Sequence, residues 1–339
     1  VTGSLDEVAI TSIRDRIKEL FELDKRRAVV LESIEKQGKL TPELKAKIEK
    51  AETLTELEDL YLPYKPKRRT RGMIAKEKGL EPLAVEIFKQ NVDFDPAKEA
   101  LKYVDPEKEL GTVVLVLSGA RDIMAEWVNE NAEARAKVRE LFLAKGVFHS
   151  KVIKGKEEAG SKYKDYFDWN EPVASAPSHR VLAVRRGEKE KMLLLRVQGP
   201  DDTALTVLQE MFVKNNNSAS SREVRIAVDD GYKRLMAPSI ENEVRLISKE
   251  KADAEAIKTF QTNLKQLLMA PPLGPQVVLA VDPGLRTGCK VAVLNQQGKF
   301  LEFQTIYIVQ GEGKEAEASQ IIRRLCKKYA VEVVAIGNG

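Results

Sequence analysis

Apolar residues recur at spacings of three and four through the first 145 residues: Val8, Ile13, Ile17, Leu20 and Phe21, then Leu31 and Ile34, then Leu44 and Ile48. That period marks amphipathic helix, so residues 4–145 are expected to form several antiparallel helices. Asp105-Pro106 reads as the start of another helix. Residues 112–117 are ambiguous between helix and strand, because five consecutive apolar residues carry no period. Residues 131–144 read as a helix with Arg and Glu alternating on its outer face.

The pattern changes beyond residue 146. Residues 181–186 and 192–197 flank Gly187 and the charged run Glu188-Lys189-Glu190-Lys191, which predicts a β-hairpin over 181–197, and residues 201–212 and 240–268 return to helix. The polar run at 215–221 predicts an exposed loop. Pro271-Pro272-Leu273-Gly274-Pro275 cannot continue a helix and marks the clearest boundary. After it come predicted strands at 276–281, 289–294 and 300–308, a helix at 314–329 and an apolar strand at 331–336. Three antiparallel-type strands, a crossover helix and a fourth strand make the opening half of a ribonuclease-H-like mixed α/β sheet. The expected class is therefore α+β and multidomain. A mostly helical region covers 1–146, a mixed region with the hairpin and the linker 270–275 covers 147–274, and a truncated sheet domain covers 275–339.

With 339 residues, 43% hydrophobic and 32% charged, the chain is long enough for two to three ordinary globular domains and is not disordered by composition. The formal charge of +4 says little about partners until its distribution is known. Two cysteines, Cys289 and Cys326, exclude a secreted disulfide framework, and with only His149 and His179 no zinc spacing exists. Reduced thiols fit the cytoplasm, where Cys289 and Cys326 act as small buried hydrophobes. No apolar run approaches the ~18 residues of a membrane helix, so no membrane association is expected. The chain starts at Val1 without an initiator Met and stops at Gly339 just after an apolar run, so it reads as a piece of a longer protein.

Two segments carry candidate chemistry. Asp282-Pro283-Gly284-Leu285-Arg286-Thr287-Gly288 puts a carboxylate at the C-terminal tip of the first strand of the sheet domain. In polynucleotidyl transferases such an acid is the central ligand of a two-metal site for phosphoryl transfer, which makes Asp282 the candidate catalytic and Mg²⁺-binding residue. That chemistry needs converging acids, and the place of the second, after the fourth strand, reads Gly337-Asn338-Gly339. A nucleic-acid-facing acid that has lost catalysis, a phosphate-cradling turn of the actin-like ATPase type and a plain strand-joining turn are the other readings of this segment. The second segment is Lys65-Pro66-Lys67-Arg68-Arg69-Thr70-Arg71, within residues 65–78, where seven basic residues face one acid, Glu77. Guanidinium forks suit bidentate phosphate contact, so Lys65, Lys67, Arg68, Arg69 and Arg71 are candidate nucleic-acid ligands; the alternative is that Glu56, Glu58 and Asp59 pair with them to clamp helices. Arg180, Arg185 and Arg186, with Lys191, form a second basic cluster, and Arg286 follows the Asp282 turn. Tyr163, Tyr166 and Phe167 read as core before base-stacking platform, and His149 and His179 as structural.

The run Leu57-Glu58-Asp59-Leu60-Tyr61-Leu62-Pro63-Tyr64-Lys65-Pro66-Lys67-Arg68-Arg69-Thr70-Arg71 closely resembles the hallmark segment of the Tex family of bacterial transcription accessory proteins, relatives of a eukaryotic elongation factor. The resemblance continues through the residues 1–7, Tyr166-Phe167-Asp168-Trp169, Pro177-Ser178-His179-Arg180 and residues 282–290. It implies a helical region with a helix-turn-helix-like unit, a YqgF-type ribonuclease-H-like domain, then helix-hairpin-helix elements and an OB-fold RNA-binding module beyond this chain. Together with the residue pattern, the expected protein is a non-catalytic, cytoplasmic transcription factor that binds DNA or RNA without a cofactor, with the transcription machinery as a further candidate partner. A divalent-metal nuclease or resolvase centred on Asp282, and a protein-interaction scaffold, are the alternatives.

Overall fold

The structure, a computed structural model, describes residues 6–66, 69–214, 217–284, 287–308 and 312–337. It divides into two units, 1–259 and 260–339. The helices are α1 (Glu7–Lys36), α2 (Pro42–Lys50), α3 (Leu54–Tyr61), α4 (Arg71–Glu77), α5 (Glu81–Lys89), α6 (Pro96–Ala100), α7 (Val113–Asn129), α8 (Ala132–Lys145), α9 (Ser178–Lys189), α10 (Asp201–Phe212), α11 (Ala219–Asp230), α12 (Ala237–Leu268) and α13 (Glu312–Tyr329). The strands are β1 (Val147–Val152), β2 (Asp168–Pro172), β3 (Leu193–Gln198), β4 (Val278–Asp282), β5 (Cys289–Leu294), β6 (Phe300–Ile306) and β7 (Val333–Ile336). The protein is thus α+β with a mostly helical N-terminal region, and no described helix is long and apolar enough to cross a membrane.

Short polar side chains start many of the helices. Thr41, Thr53, Thr70, Thr112 and Asn131 each accept a backbone N–H of the first turn of α2, α3, α4, α7 and α8, satisfying donors that a helix leaves unpaired. In the first unit the apolar faces gather into two cores. The smaller holds Leu23, Val30, Ile34, Ile48, Leu57 and Tyr61 from α1, α2 and α3. The larger runs from Ala75 to Ala252 and is centred on α7, whose Val116, Ala120, Ile123, Met124 and Val128 are all fully buried. The ambiguous apolar run at 113–117 is therefore helix, because it continues a helical stripe through residue 128.

The first unit corrects several sequence expectations. The hairpin over 181–197 does not form: residues 181–186 lie in α9, and β3 pairs with β1 in an antiparallel sheet of order β2-β1-β3. Val181, Val184 and Gly187 share one buried helical face, a spacing of three that a six-residue apolar run hides. Lys191, at φ 60°, then turns the chain back into β3, where Leu193, Leu195 and Val197 are buried and alternate with exposed residues. The expected exposed loop at 215–221 is instead a helix start: Ser218 caps α11, and Ser220 and Ser221 are buried, while Asn215 and Asn216 lie outside the described residues. Asp105-Pro106 opens only a 3-10 turn, Pro106–Lys108, closed by the Asp105–Leu110 bridge. Ile13, Ile17, Leu20 and Phe21 are helical as expected, yet exposed on α1.

The second unit follows the expected order. Its four-stranded sheet runs β6-β5-β4-β7, with β4–β5 and β5–β6 antiparallel and β4–β7 parallel after the crossover by α13. Leu279, Val291, Val293, Ile306 and Leu325 fill the space between sheet and helix.

Candidate nucleic-acid interface

The segment 57–72 is built into the protein by its acidic half and exposes Lys65, Arg69 and Arg71 of its basic half. In α3, Leu57 and Tyr61, four residues apart, share the face buried in the small core, while Asp59 is buried on the other side of the helix. Tyr61 bonds the Ser33 hydroxyl at 2.8 Å, and the Tyr64 carbonyl accepts from the Gln37 amide at 2.9 Å, fixing the 3-10 turn Leu62–Tyr64 on α1. Asp59, 5% exposed, accepts from Arg135 Nε at 2.7 Å and Arg139 Nη2 at 2.8 Å. Glu243 of α12 closes the cluster by pairing with both guanidiniums. Arg135 and Arg139 are 3% and 8% exposed, which corrects the outer-face reading of residues 131–144. Four residues apart on α8, they share one face, and that face is turned inward to meet an acid from the distant α3.

The cations that follow hold weaker, exposed partners. Lys65 lies 3.6 Å from Glu58, which also binds Arg26 at 2.6 Å. Burial works against the Glu58 carboxylate, but Arg26 and Lys65 outweigh it and hold its pKa below the ordinary value. Arg69 pairs with Glu77 at 2.6 Å with its side chain 68% exposed. Arg71 is exposed at the start of α4. Its charge falls on Asp122, whose pKa is raised by burial despite the opposing fields of Arg234 and Arg71. Gly72 lies against the carboxylate end of Glu126 of α7, where a Cβ would stand 2.5 Å from Glu126 Cδ. Lys67 and Arg68 lie outside the described residues. Of the three acids weighed as clamps, Glu58 takes Lys65, Asp59 takes the two buried arginines, and Glu56 caps the amide of Glu52 at 2.9 Å.

The second basic cluster is spread along α9. Arg180 is paired with Glu171 at 3.1 Å and Arg185 with Glu188 at 2.9 Å, leaving Arg186 exposed on the same helix. Tyr163 is buried and Tyr166, Phe167 and Trp169 pack around the larger core, with Trp169 stacked on Phe148 at 6.0 Å, so these rings are core as read. His149 is half-buried on β1, His179 is exposed on α9, Cys289 is buried and Cys326 half-buried, both thiols free.

Asp282 sits exposed at the end of β4, in register with Lys290 of β5. The amide of Gly337 donates to the Val281 carbonyl at 2.8 Å, so the end of β7 does lie beside Asp282, as the fold requires for a second acid. A Cβ built on Gly337 would stand 3.9 Å from Asp282 Cα, but glycine supplies no ligand there, and Asn338 and Gly339 lie outside the described residues. Among the described residues no three Asp, Glu, His or Cys side chains converge on any point. Among the described residues this strand end therefore brings together one carboxylate and Lys290. Gly288, at φ 83°, folds the turn back on β6, where a Cβ would lie 2.7 Å from Thr305 Cγ2 and from Tyr307 Cε1. Arg286 lies outside the described residues.

Residues 91–260 match the family model described as Tex central region-like, and residues 276–339 match the Tex protein YqgF-like domain. The chain belongs to the Tex family. It is 41% identical to Protein tex of Bordetella pertussis and 41% identical to Transcriptional accessory protein Tex of Neisseria gonorrhoeae, in each case along the whole of this chain and 44% of the relative. It is 26% identical to S1 RNA-binding domain-containing protein 1 of Homo sapiens, over 99% of this chain and 35% of that protein. The chain therefore spans less than half the length of these Tex relatives.

Proposed function

We propose that the chain is a nucleic-acid-binding part of a cytoplasmic transcription accessory factor that holds the phosphate backbone of DNA or RNA and performs no chemistry on it. The observation that supports this most is the construction of residues 57–78. A buried acid, Asp59, with Glu243 locks the segment to α8 and α12, while Lys65 and Arg69 stay at the surface in pairs that a phosphate replaces at little cost and Arg71 is exposed at the start of α4. Surface pairs of this kind are worth only ~0–1 kcal/mol. Lys67, Arg68 and Arg286 join these ligands on the sequence pattern, and Arg180, Arg185 and Arg186 make a second contact area. Names of relatives, one a transcriptional accessory protein and one S1 RNA-binding, point the same way.

Anisotropy and gel titrations with labelled duplex, branched and single-stranded DNA and RNA, with Mg²⁺ or Mn²⁺ present, test the reading on wild type and Asp282→Asn. Shifts that weaken with salt and leave the strands intact are expected, equal in the two proteins. Cleavage lost in Asp282→Asn makes the protein a metal-dependent nuclease instead. No shift at low salt leaves a protein-docking scaffold.

A further inference from the structure

The basic run does not stop at Arg71. Its next cation, Lys76 on α4, holds its ammonium 5.9 Å from the centroid of the Trp127 indole. That indole walls an open cavity of about 430 Å³, lined by Val85, Phe88 and Lys89 of α5, Trp127 of α7, Asn131, and Phe212 of α10. The volume falls within the ~300–1,000 Å³ of small-ligand pockets.

The walls come from three helices and are fixed by one side chain. Gln90, 3% exposed, donates to the Phe212 carbonyl at 2.8 Å and accepts from the Lys214 amide at 2.7 Å, tying the end of α5 to the end of α10. Phe88 meets Trp127 edge-on at 5.4 Å and 80°, and Phe212 at 6.3 Å and 47°. A flat ring that stacks on one of these faces meets the edge of a neighbour, the arrangement aromatic rings favour.

The charged side chains around the cavity are lysines, two of them held by surface acids. Among the described residues Lys89 is the one charged residue that lines it. Lys214 bonds the Lys89 carbonyl at 2.7 Å and makes no ion pair among the described residues. Lys76 and Lys89 pair with the half-exposed or exposed Glu81 and Glu86, partners a phosphate displaces readily. Asn131 spends its side-chain oxygen on capping α8, at 2.9 Å from the Ala134 amide. An aromatic cavity under a cationic rim matches a nucleobase with its phosphates. An apolar peptide anchor would have no use for the lysines.

We infer that the Phe88–Trp127–Phe212 cavity receives a base of a single-stranded nucleic acid, with the flanking phosphates on Lys76, Lys89 and Lys214. The inference rests on the nucleic-acid reading above and narrows it to strands with unpaired bases. Stacking of this kind is tolerant of sequence.

Trp127 and Trp169 are the two tryptophans of the chain, so Trp169→Phe leaves Trp127 as the sole indole reporter. That variant of the 339-residue chain is titrated at low salt with a fluorescein-labelled oligouridylate, with an abasic strand of the same length, with a duplex, and with an unlabelled leucine- and phenylalanine-rich peptide. Binding is read by anisotropy for the labelled strands and the cavity by Trp127 emission. Oligouridylate is expected to bind and quench Trp127, and the abasic strand to bind more weakly without quenching. Phe88→Leu should cost about 5-fold or more in affinity for oligouridylate alone, whereas the exposed-rim variant Lys214→Gln should weaken both strands alike. Oligouridylate binding with unchanged Trp127 emission overturns the cavity proposal and keeps the nucleic-acid reading. No binding of any strand overturns both. A response of Trp127 to the peptide and not to oligouridylate makes the cavity a protein anchor and overturns the proposal.

Discussion

Two buried guanidiniums and one buried carboxylate decide how residues 57–72 are held. Arg135 and Arg139 cannot shed their charge, so Asp59 and Glu243 must neutralise them inside the protein. Removing one member of such a cluster leaves a desolvated charge without its partner, which costs about 3–5 kcal/mol. Asp59→Asn keeps the shape and deletes the charge, and its urea midpoint should fall accordingly, by far more than that of Asp202→Asn on an exposed helix start. Glu58 is a milder case. Its folded pKa lies below the ordinary 4.5, so it contributes stability above its unfolded pKa and loses that contribution as pH falls through the folded value. Wild-type stability, followed by urea midpoint, should therefore drop more steeply below about pH 4.5 than that of Glu58→Gln, and the two curves should run parallel near neutrality.

At the scale of elements, α3 and α4 divide the labour that the chain writes as one charged string. Asp59 and Glu58 face the body, and Lys65, Arg69 and Arg71 face water, so neutralising these cations should touch binding and spare folding. Arg69→Gln with Arg71→Gln should flatten the log–log salt dependence of duplex binding by about 0.9 for each phosphate that the variant no longer neutralises, with the unfolding midpoint shifted by no more than the ~0–1 kcal/mol of surface pairs. The same elements show where a sequence speaks clearly. Residues 201–212 and 289–294 are found at the positions their patterns predict, because each combines one period with unambiguous turn residues at its ends. Residues 181–186 mislead because six residues hold fewer than two helical turns, and strands β1 and β2 escape sequence reading because His149, Ser150 and Lys151 dilute the alternation. The basic run and Asp282 are legible as residue types. Their partners are not: Asp59 meets its arginines 76 and 80 positions away, a pairing that only tertiary packing creates.

At the scale of the whole molecule the apolar cores set the cooperative units. The larger core of the first unit and the core of the second share no residue. Within the first unit the small core of α1, α2 and α3 is linked to the larger one through the Asp59 cluster, so charge as well as apolar contact joins them. A unit with its own core is expected to melt as its own transition. Leu325 of α13 is fully buried against that sheet. Leu325→Ala should cost about 2–5 kcal/mol, from the reduced burial and the cavity left behind. Hydrogen exchange resolved along the chain should then show faster opening of β4, β5, β6 and α13, with protection of α7 and β3 unchanged. Equal acceleration at α7 would mean that the two units unfold as one, and that the cores, though separate, are coupled across the whole chain.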